Sequence, residues 1–124
     1  MKITLGENLT TSAVLEGRAP VATAFANPRQ NMNPGELLTA SLGACMLTMV
    51  GYMASKRGDN AQSTSADITA KFDDKHSRMV AFDIVLTFPS SFTQEQKDAY
   101  TRAAQTCPVH NSLREDIQYT ITVK

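Results

Sequence analysis

Tryptophan is absent, cysteine occurs only twice, and neither sign of charge prevails: twelve Lys and Arg stand against twelve Asp and Glu. Without net charge there is no basic field to draw in nucleic acid or anionic lipid. Three Tyr and five Phe, dispersed along the chain, offer no platform for stacking bases. Two cysteines 62 positions apart, Cys45 and Cys107, do not make the disulfide framework of a secreted protein. The opening MKITLGENLTT alternates like a strand and lacks the apolar core of a signal peptide, which favours the cytoplasm. Two His and two Cys at these spacings form no zinc motif, and nothing calls for a metal or an organic cofactor. No repeat, low-complexity tract or linker interrupts the 124 residues, and 42% hydrophobic content suits one globular domain over 1–124.

The longest feature present is itself a gap. Leu37 to Ser55 carries no charge, close to the ~20 residues that span a bilayer. Thr39, Ser41, Gly43, Thr48, Gly51 and Ser55 make it too polar for a lone span, and its flanks read as a soluble fold. A helix apolar nearly all round is the central helix of a small domain. Its start is well marked: Asn33 as N-cap, Pro34 first, Glu36 at the third position to reach back to the cap amide. Lys56 and Arg57 suit its negative end, and Gly58 stops it. Ala40, Ser41, Gly43 and Ala44 permit close approach of another helix.

Around this helix the pattern predicts strands at 2–6, 9–16 and 21–26, with a turn at Gly17-Arg18-Ala19-Pro20 and a loop over 27–32. Beyond it, Ala66, Ile68, Ala70 and Phe72 alternate on one strand and Val80, Phe82, Ile84, Leu86 and Phe88 on the next, joined by an exposed hairpin at 73–77. Thr93 and Gln96 frame a second helix with Ala99, Tyr100, Ala103 and Ala104 inward. A break at Thr106-Cys107-Pro108 leads to a short helix reaching about Arg114, then a last strand through Ile117, Tyr119, Ile121 and Val123. The order βββ-α-ββ-αα-β is an α+β arrangement. One chain has too little left to cover a helix apolar on every side, so dimerisation through that helix is expected.

Cys45 admits two readings. A free Cys is among the most buried residue types and can be mere filling. As a nucleophile in mid-helix it needs a cation from elsewhere, because burial alone makes a thiol inert. Arg18 and Arg29 are the nearest candidates, although either also suits a solvated loop. With Pro108 as first helical residue, Cys107 is an N-cap, a placement that lowers a thiol's pKa. His110 reads as an ordinary helix side chain.

NPGELLTASLGACM, followed later by CPVHNSL, resembles the OsmC/Ohr family of osmotically inducible and organic hydroperoxide resistance proteins. The likeness lies in an Asn-Pro-x-Glu-Leu opening, a small-residue helix reaching Gly-Ala-Cys, and a later Cys-Pro-Val before the final strand. MASKRG after the helix and the closing strand extend it over nearly the whole chain. The resemblance implies an OsmC-like intertwined homodimer, antiparallel sheets wrapped around two long central helices. It further implies that Cys45 reduces an organic hydroperoxide and becomes a sulfenic acid. Cys107 resolves it as a disulfide, and a dithiol reductant, lipoyl-type or a small thiol, restores both.

Family peroxidases steady the thiolate with an Arg held by a Glu that directly follows the Pro. Here that position is Gly35, and Glu36 comes next. Glu36 precedes Cys45 by nine residues, which on one helix is about 14 Å along the axis and on the opposite side. Capping therefore competes with a site role for Glu36. Arg18 resembles the Arg of the organic hydroperoxide resistance branch and Arg29 the loop Arg of the osmotically inducible branch, here on a shorter loop. The candidate set is Cys45, Cys107, Arg29, Arg18 and Glu36. The alternatives to peroxide reduction are another thiol-dependent activity, or binding of an apolar small molecule.

Overall fold

The computed structural model describes residues 1–26 and 30–124. Two compact units divide the chain, Met1–Leu38 and Thr39–Lys124, and the long helix starts in one and continues through the other.

In the first unit β1 (Lys2–Leu5), β2 (Thr10–Val14) and β3 (Val21–Ala24) form an antiparallel sheet in that order. Period-two alternation and the register put Ile3, Leu5, Ala13 and Val21 on one face. Thr11 and Thr23 share that face, and their hydroxyls are hydrogen-bonded at 2.6 Å. Its large apolar side chains are uncovered in the single chain: Ile3 is 59% and Leu5 76% exposed. A small sheet of this kind needs its apolar face packed to be stable.

The helix α1 runs Pro34–Arg57 and opens with the capping pair read from the sequence. Asn33 Oδ1 accepts from the Glu36 amide at 2.8 Å, and Glu36 Oε2 accepts from the Asn33 amide at 2.9 Å. Such a reciprocal cap is worth about 1 kcal/mol. At the other end Gly58 takes φ +75°, open to glycine at no steric cost. The Asp59 amide then reaches the Ala54 carbonyl at 3.0 Å and the Gly58 amide that of Ser55 at 3.4 Å, a Schellman ending. By length and composition α1 could cross a membrane. It nevertheless buries one stripe, Leu42, Gly43, Met46, Val50 and Ala54, in a protein core.

That core is built with β4 (Ser65–Phe72), β5 (Met79–Thr87) and β6 (Gln118–Val123), in sheet order β4-β5-β6. Phe82, Ile84, Leu86 and Phe88 are buried on β5 and just after it, at the alternate positions the pattern predicts. Gly43 lets the helix come close: a Cβ there would stand 3.0 Å from Ile68 Cδ1 on β4. The helix α2 (Gln94–Ala104) adds Tyr100, Ala103 and Ala104, and α3 (Pro108–Ser112) follows after a short break. Thr93 and Gln96 form the expected capping box on α2. Tyr100, fully buried, donates from its hydroxyl to Asp59, and the Arg57 guanidinium lies 5.7 Å over its ring. One side chain thus ties α2 to the end of α1.

Two expectations need correction. The second sheet is mixed rather than antiparallel, since β6 runs parallel to β5. The reason is the connection: α2 and α3 form a crossover, which returns the chain in the direction of β5. Phe72, assigned to the inward face, is 45% exposed and stacks on His76 at 5.9 Å. The register shifts between Lys71 and Phe72, where a bulge breaks the alternation.

After α3, Arg114 and Arg78 both bind Asp116, at 2.9 and 2.7 Å, which holds its carboxyl well below the usual range, hydrogen bonding being the main cause. A depressed carboxylate stabilises the fold above its unfolded pKa of about 3.9 and loses that contribution as pH falls through the lower folded value. Asp116→Asn should therefore melt below the wild type at neutral pH. Melting curves recorded downward from pH 5 should show the gap closing.

Candidate functional site

The end of α2 sets up the site. The Thr106 hydroxyl donates to the Ala103 carbonyl at 2.7 Å, and the Cys107 amide donates to that of Ala104 at 3.3 Å. The helix thereby closes in a tight turn before Pro108 forbids its continuation. Cys107 is the N-cap of α3: its backbone is extended (φ −63°, ψ 131°) and its sulfur accepts from the His110 amide at 3.3 Å. Its side chain is fully buried in the core between α1, β5 and α2.

Cys45 comes from the middle of α1, half-buried, and packs against that core. Both cysteines are free, and Cys45 is among the groups that act on the ionisation of Cys107. Two residues remote in sequence are brought together by the docking of one helix beside the start of another. A fully buried thiol and a half-buried one, packed into the same core with Leu42, Met46 and Phe82, form a potential redox couple.

The N-cap position is expected to lower the Cys107 pKa, and the structure reverses that sign. The amides of His110 and Val109 do pull it down, but burial outweighs them and pushes the thiol up, with Cys45 adding to the rise. A helix of one turn offers a weak dipole, whereas full desolvation acts on the whole charge.

Two of the remaining predicted residues, Arg18 and Glu36, lie in the first unit. Arg18 sits on the turn between β2 and β3, where its amide donates to the Leu15 carbonyl at 3.0 Å and its Nη1 to that of Gly17 at 3.0 Å. Glu36 occupies the first turn of α1 in the capping pair already described. Arg29 falls outside the described residues. Among the described residues no group of three His, Cys, Asp or Glu could hold a metal ion.

One neighbour of the pair escapes a search for catalytic residue types. Tyr119, inward on β6, stacks on Phe82 at 5.8 Å and meets the His110 ring at 4.3 Å. Its hydroxyl is buried with no hydrogen-bond partner among the described residues, an arrangement that costs about 1–3 kcal/mol. The signal available in the sequence is a Tyr at an inward position of an alternating strand, where Phe or Ile packs without a polar atom.

The chain is thus α+β, with Cys45 on its long helix and the buried Cys107 at a Cys-Pro helix start packed into one core. Residues 27–122 match the family model described as OsmC-like protein, and the chain belongs to that family. A solved protein of Psychrobacter arcticus 273-4, provisionally described as an osmotic stress induced and detoxification response protein, is similar over 99% of this chain and 93% of its own. It shares 27% identity at a TM-score of 0.91. An OsmC-like protein from Mycoplasma pneumoniae has 16% identity, covers 99% of this chain and 92% of its own, and has a TM-score of 0.83. The organic hydroperoxide resistance protein OhrB of Bacillus subtilis has 15% identity, covers 99% and 95%, and has a TM-score of 0.72. The last two likenesses show the fold. A sequence search of curated proteins finds no match.

In Cys45→Ser protein the remaining thiol should titrate above the free-thiol value of about 8.5, read from thiolate absorbance. The unfolded thiol then ionises first, so alkaline pH above that value should destabilise the fold, and Cys107→Ala should abolish this increment.

Proposed function

We propose that the protein is a thiol-dependent peroxidase that reduces organic hydroperoxides. The observation carrying this reading is that Cys45 and Cys107, 62 positions apart in sequence, pack into one apolar core. In the cycle, the Cys45 thiolate attacks the peroxide oxygen remote from the organic group. The O–O bond breaks, the alkoxide takes a proton and leaves as alcohol, and Cys45 becomes a sulfenic acid. Cys107 then attacks that sulfur as a thiolate. The S–S bond forms as the S–O bond breaks, and the departing hydroxide is protonated to water. An external dithiol, lipoyl-type or a small thiol, returns the disulfide to two thiols by exchange and is itself oxidised. Apolar surroundings suit an organic peroxide better than hydrogen peroxide, and a couple that must be kept reduced suits the cytoplasm.

The cation for the Cys45 thiolate is assigned to Arg18 or Arg29, with Glu36 as the acid of the helix opening. No resident metal or cofactor takes part. The working unit is a homodimer with sheets wrapped around two central helices. Its support is the uncovered stripe of α1, Ser41, Ala44, Thr48, Tyr52 and Ser55, at helical spacing, together with the bare apolar face of the β1–β3 sheet. Gly35, at the position where family peroxidases carry Glu, favours a second reading, an OsmC-like protein without peroxide turnover that uses the same thiols or binds an apolar small molecule.

Cumene hydroperoxide consumption with a dithiol should fall at least about 100-fold in Cys45→Ser, the loss expected when a nucleophile is removed. Stoichiometric oxidant should lower the mass of the wild type by about two units, and this loss should be absent in Cys107→Ser. A wild type that neither consumes the peroxide nor forms the disulfide sinks the peroxidase and leaves the second reading.

Sedimentation equilibrium should give twice the chain mass for the wild type. Ala44→Arg, which sets a charge in the exposed stripe, should shift the protein toward monomer.

A further inference from the structure

Cys107 is fully enclosed, yet on one side the cover is slight. The residue caps α3, and its sulfur accepts from the His110 amide at 3.3 Å, so the first turn of α3 folds over the sulfur. That helix is five residues long and none of its side chains is fully buried. Val109, and Leu113 just beyond the helix, pack against the core only in part. The other bonds of α3 are local. The Asn111 amide donates to the Cys107 carbonyl at 3.0 Å, the Ser112 hydroxyl to that of Pro108 at 2.8 Å, and Asn111 Nδ2 to that of Thr106 at 3.5 Å. A single turn is a poor guarantor of its own structure, because fixing the first turn costs more than its few hydrogen bonds return. Both flanks, Cys107 and Leu113, have extended backbone rather than a continuing helix.

What α3 rests on is Tyr119. The His110 ring meets the Tyr119 ring at 4.3 Å, tilted by 55°. Tyr119 belongs to β6, an edge strand whose sheet neighbour is β5, and from β5 it receives the stack of Phe82 at 5.8 Å. Its ring therefore lies between β5 and α3. The Tyr119 hydroxyl is buried there with no hydrogen-bond partner among the described residues. Phe would make both ring contacts and bury no such oxygen. While α3 is seated, this donor is cut off from water and the seated state is penalised; when α3 lifts, water reaches the hydroxyl and the penalty ends.

We propose that α3 is a hinged cover over Cys107: it lifts between Cys107 and Leu113 while the rest of the fold stays intact, admits water and small thiol reagents to the sulfur, and is made easy to lift by the unpartnered hydroxyl of Tyr119. Local opening of this kind draws on segments with few buried contacts, and α3 is such a segment. Opening breaks the bond from the His110 amide to the sulfur and separates the His110 and Tyr119 rings, so the thiol and the phenol are wetted in one movement. The cover concerns access to Cys107 and holds whatever chemistry that thiol performs. It stands apart from the peroxidase reading.

Amide hydrogen exchange tests the cover without any reagent. In the wild type the amides of His110 and Asn111 should exchange well ahead of those of Met46 and Val50 in the buried stripe of α1. Tyr119→Phe keeps the ring contacts and removes one oxygen, so lifting α3 no longer wets a hydroxyl. Exchange of the α3 amides should then slow by about ten-fold. Exchange of α3 only as fast as the α1 stripe, or an α3 rate unchanged in Tyr119→Phe, overturns the proposal. Cys45→Ser leaves Cys107 as the single thiol and reads access directly. Its alkylation by iodoacetamide at fixed pH, followed by intact mass, should proceed without urea and depend on urea far less steeply than global unfolding does. A urea dependence equal to that of global unfolding means that Cys107 is reached only in the unfolded chain, and the cover is then refuted.

Discussion

The burial of one sulfur constrains everything around it. Cys107 is held at a helix start that would suit an anion, yet it is fully enclosed by the side chains of α1, β5 and α2. The amides of α3 reward ionisation, the apolar walls oppose it, and the walls prevail. A thiol in this condition is quiet until something changes its surroundings. Its place beside Cys45 depends in turn on tertiary packing: Gly43 lets α1 come close to β4, and Tyr100 ties the end of α1 to α2. The cysteines sit in a framework whose rigidity is supplied elsewhere.

What could be read in the sequence was local. Asn33 with Glu36, Thr93 with Gln96, and Cys107 before Pro108 announce helix starts because caps are satisfied within four residues. The alternation of Phe82, Ile84 and Leu86 reveals an inward face because the period of a strand is two. What could not be read depended on distant partners. The parallel pairing of β5 with β6 follows from a crossover whose landing side is set by packing. The exposure of Phe72 follows from a bulge that no residue near it signals. The sign of the Cys107 shift is not legible along the chain, because capping is local and desolvation is set by the packed core.

The candidate site divides along the same line. Cys45 and Cys107 were identifiable because thiols are rare here and one precedes a helix-starting proline. Tyr119 was not, because nothing in an alternating strand distinguishes a tyrosine whose hydroxyl is bonded from one whose hydroxyl is left alone. Arg18 and Glu36 are each engaged locally, by a turn carbonyl and by a helix cap.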